Sequence, residues 1–64
     1  MKILDVRWFT ANGCVGIVKV YDEYDGERYY VGIAQGSDPN ADAEYIASWG
    51  ALFPKSAGDK LFKF

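Results

Sequence analysis

Histidine is missing from this 64-residue sequence, and cysteine occurs once. Those two gaps exclude an intrachain disulfide, most zinc sites and any nucleophile activated by an imidazole. No apolar run approaches the roughly 20 residues that a membrane helix needs, and no signal-peptide pattern opens the chain. An excess of positive charge is missing too. Seven Lys and Arg against nine Asp and Glu leave a formal charge of −2, far from the dense cationic surface that bulk duplex DNA demands. The expectation is a cytoplasmic chain with neither membrane nor bulk DNA among its partners.

What remains is enough for a fold. Half of the residues are apolar and a quarter are charged, a balance that favours a packed domain over disorder. The length allows a single small domain spanning 1–64. A chain this short buries only about 60% of its unfolded surface, so a monomer is marginal without disulfides, metals or self-association. Only self-association is left. Two Trp, five Tyr and four Phe fit that remedy, because aromatics are favoured where a partner buries the surface.

The periodicity predicts three antiparallel strands, Ile3–Phe9, Val15–Tyr24 and Glu27–Ala34. Ala11-Asn12-Gly13 suits a three-residue loop that sets Asp5 against Lys19, Val6 against Val18, Leu4 against Val20 and Trp8 over Gly16. Asp25-Gly26 reads as a two-residue type I′ turn that sets Tyr21 against Tyr30 and Val18 against Ile33. Gly36-Ser37 ends the sheet. Asp38 is a helix N-cap, Pro39 suits the first helical position, and Gly50 stops the helix. Tyr45, Ile46 and Trp49 form its apolar stripe, continued by Leu52 and Phe53. After the break at Pro54, Ser56–Lys63 reads as a short terminal helix capped by Ser56, with Asp59 completing a loose capping box. The fold class expected is α+β: a three-stranded antiparallel meander, one helix and a short C-terminal helical turn. The helix should lay Ile46, Trp49 and Phe53 on Leu4, Val6, Trp8, Val18, Val20, Val31 and Ile33. The opposite sheet face would then be too apolar to stand in water, and a second copy is the simplest cover.

Catalytic groups are poorly supplied. Asp22, Glu23, Asp25 and Glu27 cluster at a hairpin tip, where acids are ordinarily just solvated. Cys14 has no histidine to activate it and reads as a small buried or half-buried thiol. Gly32 to Gly36 resembles a phosphate loop only superficially, lacking its lysine. No metal and no cofactor are expected, and the chain reads as a binding protein rather than an enzyme. Lys55 and Ser56 lie at a helix start, where free N–H groups hold anions, although simple capping by Ser56 serves as well. Arg7, Lys19, Tyr21, Arg28 and Tyr30 place rings and cations on or beside the uncovered face, a mixture suited to base stacking and phosphate neutralisation. Cross-strand tyrosines also simply stabilise sheets.

Several strings occur together: Arg7-Trp8-Phe9, Gly13 to Val18, Tyr24-Asp25-Gly26, Ile46 to Ala51 and Phe53 to Gly58, with Trp49-Gly50-Ala51-Leu52-Phe53-Pro54 the most specific. On these the chain resembles a family of very small bacteriophage-encoded proteins, similar to anti-CBASS sponges. The resemblance implies an immune-evasion factor of the host cytoplasm that sequesters cyclic nucleotides as a homo-oligomer, a dimer or tetramer, without cleaving them. It implies no catalytic residues. The ligand would be a cyclic dinucleotide or related small nucleotide. The ligand-binding candidates, taken from the residues themselves, are Arg7, Lys19, Tyr21, Arg28, Tyr30, Trp49, Lys55 and Ser56. The competing expectation is a phage inhibitor that blocks a host enzyme through its acidic, aromatic surface.

Overall fold

A computed structural model describes residues 1–10, 15–34 and 38–63. The expected loop at Ala11-Asn12-Gly13, the thiol of Cys14 and the Gly36-Ser37 turn lie outside the described residues. Within them run β1 (Lys2–Trp8), β2 (Val15–Asp22), β3 (Gly26–Ile33), α1 (Pro39–Trp49), β4 (Ala51–Phe53) and α2 (Lys55–Leu61). The four strands form one antiparallel sheet in the order β1-β2-β3-β4. The architecture is α+β with four strands and two helices, against the three strands, one helix and short C-terminal helical turn expected.

The first hairpin keeps most of its expected pairs: Asp5 faces Lys19, Val6 faces Val18 and Trp8 faces Gly16. Val–Val and Asp–Lys pairs are favourable cross-strand neighbours. The register then slips between Ile3 and Asp5, so Ile3, not Leu4, faces Val20. Leu4 is left 42% exposed by that irregularity.

The second hairpin differs from expectation, and the reason lies in one side chain. Asp22 Oδ1 accepts the N–H of Tyr24 at 2.7 Å and of Asp25 at 3.4 Å. That bracket closes a three-residue loop, Glu23 to Asp25, with Asp22 facing Gly26. The N–H of Tyr24 is also the main cause holding the Asp22 carboxyl below its usual range. Gly26 follows the loop at φ +74, a left-handed conformation that glycine adopts without a Cβ penalty. Val18 consequently faces Tyr30 instead of Ile33, and Tyr21 faces Glu27 instead of Tyr30. The slip is odd, so every β3 side chain moves to the other face.

The two faces are covered by different helices. On one, Val18, Val20, Ala34, Ala43, Ile46 and Ala47 form a buried cluster, flanked by Ile3, Val6, Trp8 and Tyr30. Asp38 caps α1 by accepting the Asn40 N–H at 3.0 Å, and Pro39 occupies the first turn. Only Ile46 of the expected stripe is buried; Trp49 is 78% exposed. Gly50 ends α1 as expected, but at φ −72, by close approach rather than left-handed backbone. A Cβ there would lie 2.5 Å from the Ile46 carbonyl and 2.7 Å from that of Val31.

Leu52 and Phe53 belong to β4 and not to a helical stripe. Phe53 pairs with Tyr29 and Leu52 with Tyr30, which puts Phe53 on the opposite face from Ile46. Val31 shares that opposite face, and Ile33 is exposed. This is the face expected to need a second copy. Part of it is closed by the chain itself: Ile17 and Tyr29 are buried, Tyr29 lies against Phe62 with ring centroids 5.2 Å apart, and α2 sits over Tyr29. That helix begins one residue early, with Pro54 as its N-cap and no side-chain cap bond. The expected Ser56 cap and capping box are therefore absent, because Asp59 turns toward Tyr29 and Lys55 instead. Among the described residues, no helix is long and apolar enough to cross a membrane.

Candidate functional site

The alternation of strand residues decides where each candidate side chain stands. Arg7, Lys19 and Tyr21 project from the α2 face, whereas Arg28 and Tyr30 project from the α1 face. The expected single cluster of these five is thus divided by the odd slip of the second hairpin. On the α2 face, Arg7 lies over the Phe62 ring at 5.5 Å and Lys19 over the Tyr29 ring at 5.9 Å. Lys19 also pairs with Glu27 at 3.5 Å. The rings here are occupied by the protein's own cations.

The β4 edge collects more of the candidates. Arg28 donates from Nη1 to the Tyr30 hydroxyl at 3.5 Å and pairs with Asp25 at 2.7 Å. The Tyr30 bond, followed by Asp25, holds the guanidinium even more firmly protonated than usual. Tyr30 is the cross-strand partner of exposed Leu52, and Trp49 stands three residues before Leu52 at the end of α1. Lys55 opens α2 and pairs with Asp59 at 3.2 Å, and exposed Ser56 follows it. Between Arg28 and Lys55 runs a shallow groove of about 290 Å³ lined also by Asp25, Glu27, Leu52, Phe53 and Pro54.

Other grooves are larger but chemically poorer. One of about 520 Å³ between β1 and α1 is lined by Ile3 to Val6, Pro39, Asn40, Ala43 and Glu44, with no cation. Another of about 490 Å³ holds Lys2 and Tyr21 among Asp22, Glu23 and Tyr24. The β4 groove presents two cationic side chains, Arg28 and Lys55, beside apolar walls.

Arg28 and Lys55 are tied to carboxylates at the surface, where solvent screens such pairs. The Tyr29 hydroxyl, by contrast, is closed to ligand: it donates to Asp59 Oδ1 at 2.5 Å. Burial, then the hydrogen bond and charge of Asp59, push its pKa up to about 12. The same bond, with help from Lys55, holds the Asp59 carboxyl below its usual range. Among the described residues, no group of three His, Cys, Asp or Glu is placed to hold a metal ion.

Leu52 and Phe53 were missed as site residues by the sequence reading, which joined them to a helical stripe. Their bracketing by Gly50 and Pro54, which isolates a three-residue segment, is the signal that marks them. The chain matches no protein-family model, no curated protein and no solved structure.

Proposed function

We propose that this chain is a phage-type binding protein that sequesters a cyclic nucleotide signal in the host cytoplasm without cleaving it. The β4 groove supports the reading: the Arg28 guanidinium and Lys55 ammonium flank Leu52 and Phe53 in a groove of about 290 Å³. Cations suit phosphates, and apolar or aromatic walls suit the faces of bases. A groove of this size lies at the low end for small-molecule sites. One chain would therefore hold part of a cyclic dinucleotide, and a homo-oligomer would hold all of it.

The test is a thermal-shift series with cyclic di- and trinucleotides on the wild type, Arg28→Ala and Lys55→Ala. A ligand at a hundred times its dissociation constant adds about 2.7 kcal/mol of stability, which is about 10–20 °C in a domain of this size. The expected result is a shift of that order for at least one cyclic nucleotide. It should shrink in both variants, and the ligand should be recovered intact after denaturation. No shift across the panel overturns the reading, and recovery of a cleaved ligand does so too.

One observation favours a second reading, inhibition of a host protein. Tyr24 is 92% exposed at a hairpin tip that also carries Asp22, Glu23, Asp25 and Glu27. An exposed ring set among carboxylates fits a basic protein surface. That reading predicts no nucleotide shift and a loss of host-protein capture when the tip acids are neutralised.

A further inference from the structure

We infer that the outer edge of β4 is the docking site for a second copy of this chain, antiparallel and two-fold symmetric about Leu52. The inference deepens the proposed function by naming the partner at that same surface. It rests on that reading for the ligand but not for the dimer.

The first observation is the polarity of the sheet edge. Phe9 donates its N–H to the Val15 carbonyl at 2.7 Å, which makes these two a hydrogen-bonded pair. In an antiparallel sheet such pairs alternate. Followed through the registers of all four strands, the alternation makes Val18 and Tyr30 a bonded pair. It then bonds Tyr29 to Phe53 and Val31 to Ala51. The N–H and C=O of Leu52 consequently point away from β3, and among the described residues no strand lies beyond them in the sheet order.

That free edge is one residue long. At Gly50 the N–H donates to the Ile46 carbonyl, and at Pro54 there is no N–H while the carbonyl accepts from Gly58. An extended peptide gains the two hydrogen bonds of Leu52 there. A second copy gains the same two, reciprocally, Leu52 to Leu52, and buries exposed Leu52 and Trp49 twice over. An isologous contact requires such self-complementarity.

The register about Leu52 satisfies the neighbouring residues as well. It sets Phe53 of one copy opposite Ala51 of the other, and Pro54 opposite Gly50, a large group against a small one each time.

The opposite edge of the sheet is closed to such pairing. The slip between Ile3 and Asp5 interrupts β1, and the outward N–H of Val6 is already taken by its neighbour Asp5 Oδ1 at 2.8 Å. A bulge and an edge carboxylate are recognised guards against sheet-to-sheet association. β4 carries neither.

The test is the mass of nucleotide-free protein by analytical ultracentrifugation, with circular dichroism to establish folding. Wild type is expected to equilibrate between one and two chains. Leu52→Pro removes the outward N–H without removing a bond to β3, and proline is tolerated at edges. It should weaken the dimer roughly tenfold or more, the effect of losing reciprocal hydrogen bonds. Trp49→Ala supplies an independent variant that alters no backbone group and should weaken the dimer similarly. In a Cys14→Ser background, Leu52→Cys should cross-link to its own copy on mild oxidation, because hydrogen-bonded partners have Cα atoms about 5.5 Å apart, within disulfide range. Ile33→Cys, also exposed, should not. A monomeric wild type at every concentration overturns the inference. So does a dimer indifferent to Leu52→Pro and Trp49→Ala, or equal cross-linking at both positions. A dimer without any nucleotide shift leaves the inference standing and overturns the sponge reading; a nucleotide shift in a strict monomer does the reverse.

Discussion

The Tyr29 hydroxyl reaches Asp59 Oδ1, thirty residues further along the chain, and this single bond ties α2 to the middle of the sheet. The bond needs Tyr29 protonated and Asp59 ionised. Tyr29 has its pKa raised from 10.0 to about 12 by burial and by Asp59. A raised folded-state value means that the group's contribution to stability is complete below pH 10 and is lost as pH climbs toward about 12. Asp59, with its value lowered from 3.8, contributes above that pH and loses its contribution as pH falls further. An alkaline ultraviolet titration should show one tyrosine ionising late, near pH 12. Tyr29→Phe should abolish that late step and cost about 1 kcal/mol, or about 4–8 °C in melting temperature. An unchanged titration in the variant would assign the late step to another ring.

Gly58 is the point at which α2 touches Tyr29. A Cβ built there would fall 2.3 Å from the Tyr29 ring, and that ring is buried and pinned at its hydroxyl. In an exposed helix interior, Gly→Ala gains roughly 0.5–1 kcal/mol. Gly58→Ala should reverse the sign and cost about 1–3 kcal/mol by overpacking, measured by urea denaturation. Stabilisation instead would place α2 away from Tyr29.

Ile46 and Trp49 are close on one helix yet should behave oppositely. Ile46 is fully buried and Trp49 is 78% exposed. Ile46→Ala should cost about 2–5 kcal/mol, enough to unfold a domain of this size at moderate temperature. Trp49→Ala should change the stability of the monomer by no more than about 0.5 kcal/mol. Thermal melts in dilute solution check both, and a large monomer loss at Trp49 would refute its exposed position.

Asp22 is the residue that chooses the register of the second hairpin. Asp22→Ala removes the acceptor for the Tyr24 and Asp25 N–H groups and frees the two-residue Asp25-Gly26 turn to compete. Amide exchange along β3 should rise, and strand contacts by nuclear Overhauser effects should include Val18 with Ile33 as well as Val18 with Tyr30. Sole retention of the Tyr30 contact would show that side-chain packing alone sets the register.

The sequence carried some of this plainly and hid the rest for identifiable reasons. The β1–β2 register was legible because only one alignment puts valine against valine and aspartate against lysine. Helix α1 was legible through Asp38, Pro39 and Gly50. The second hairpin was not, because Asp-Gly fits two loop lengths and the deciding contact comes from the side chain before the turn. Three residues at β4 are too few to show a period, so Leu52 and Phe53 merged with the helical stripe. At the candidate site the cations and rings were visible as residue types. Their distribution between faces depended on the hairpin slip, and the carboxylates that hold Arg28 and Lys55 could be found only in three dimensions.

The order of the elements also has a bearing on biosynthesis. By the time Phe53 has been added, all four strands and α1 exist, yet the face holding Ile17 and Tyr29 still lacks its cover. That cover, Gly58 and Phe62, is made afterwards. A released chain cut short near Pro54 would carry the sheet with an oily, unsealed side turned to solvent. Residues 55–62 thus close that face, and their loss would expose Ile17 and Tyr29.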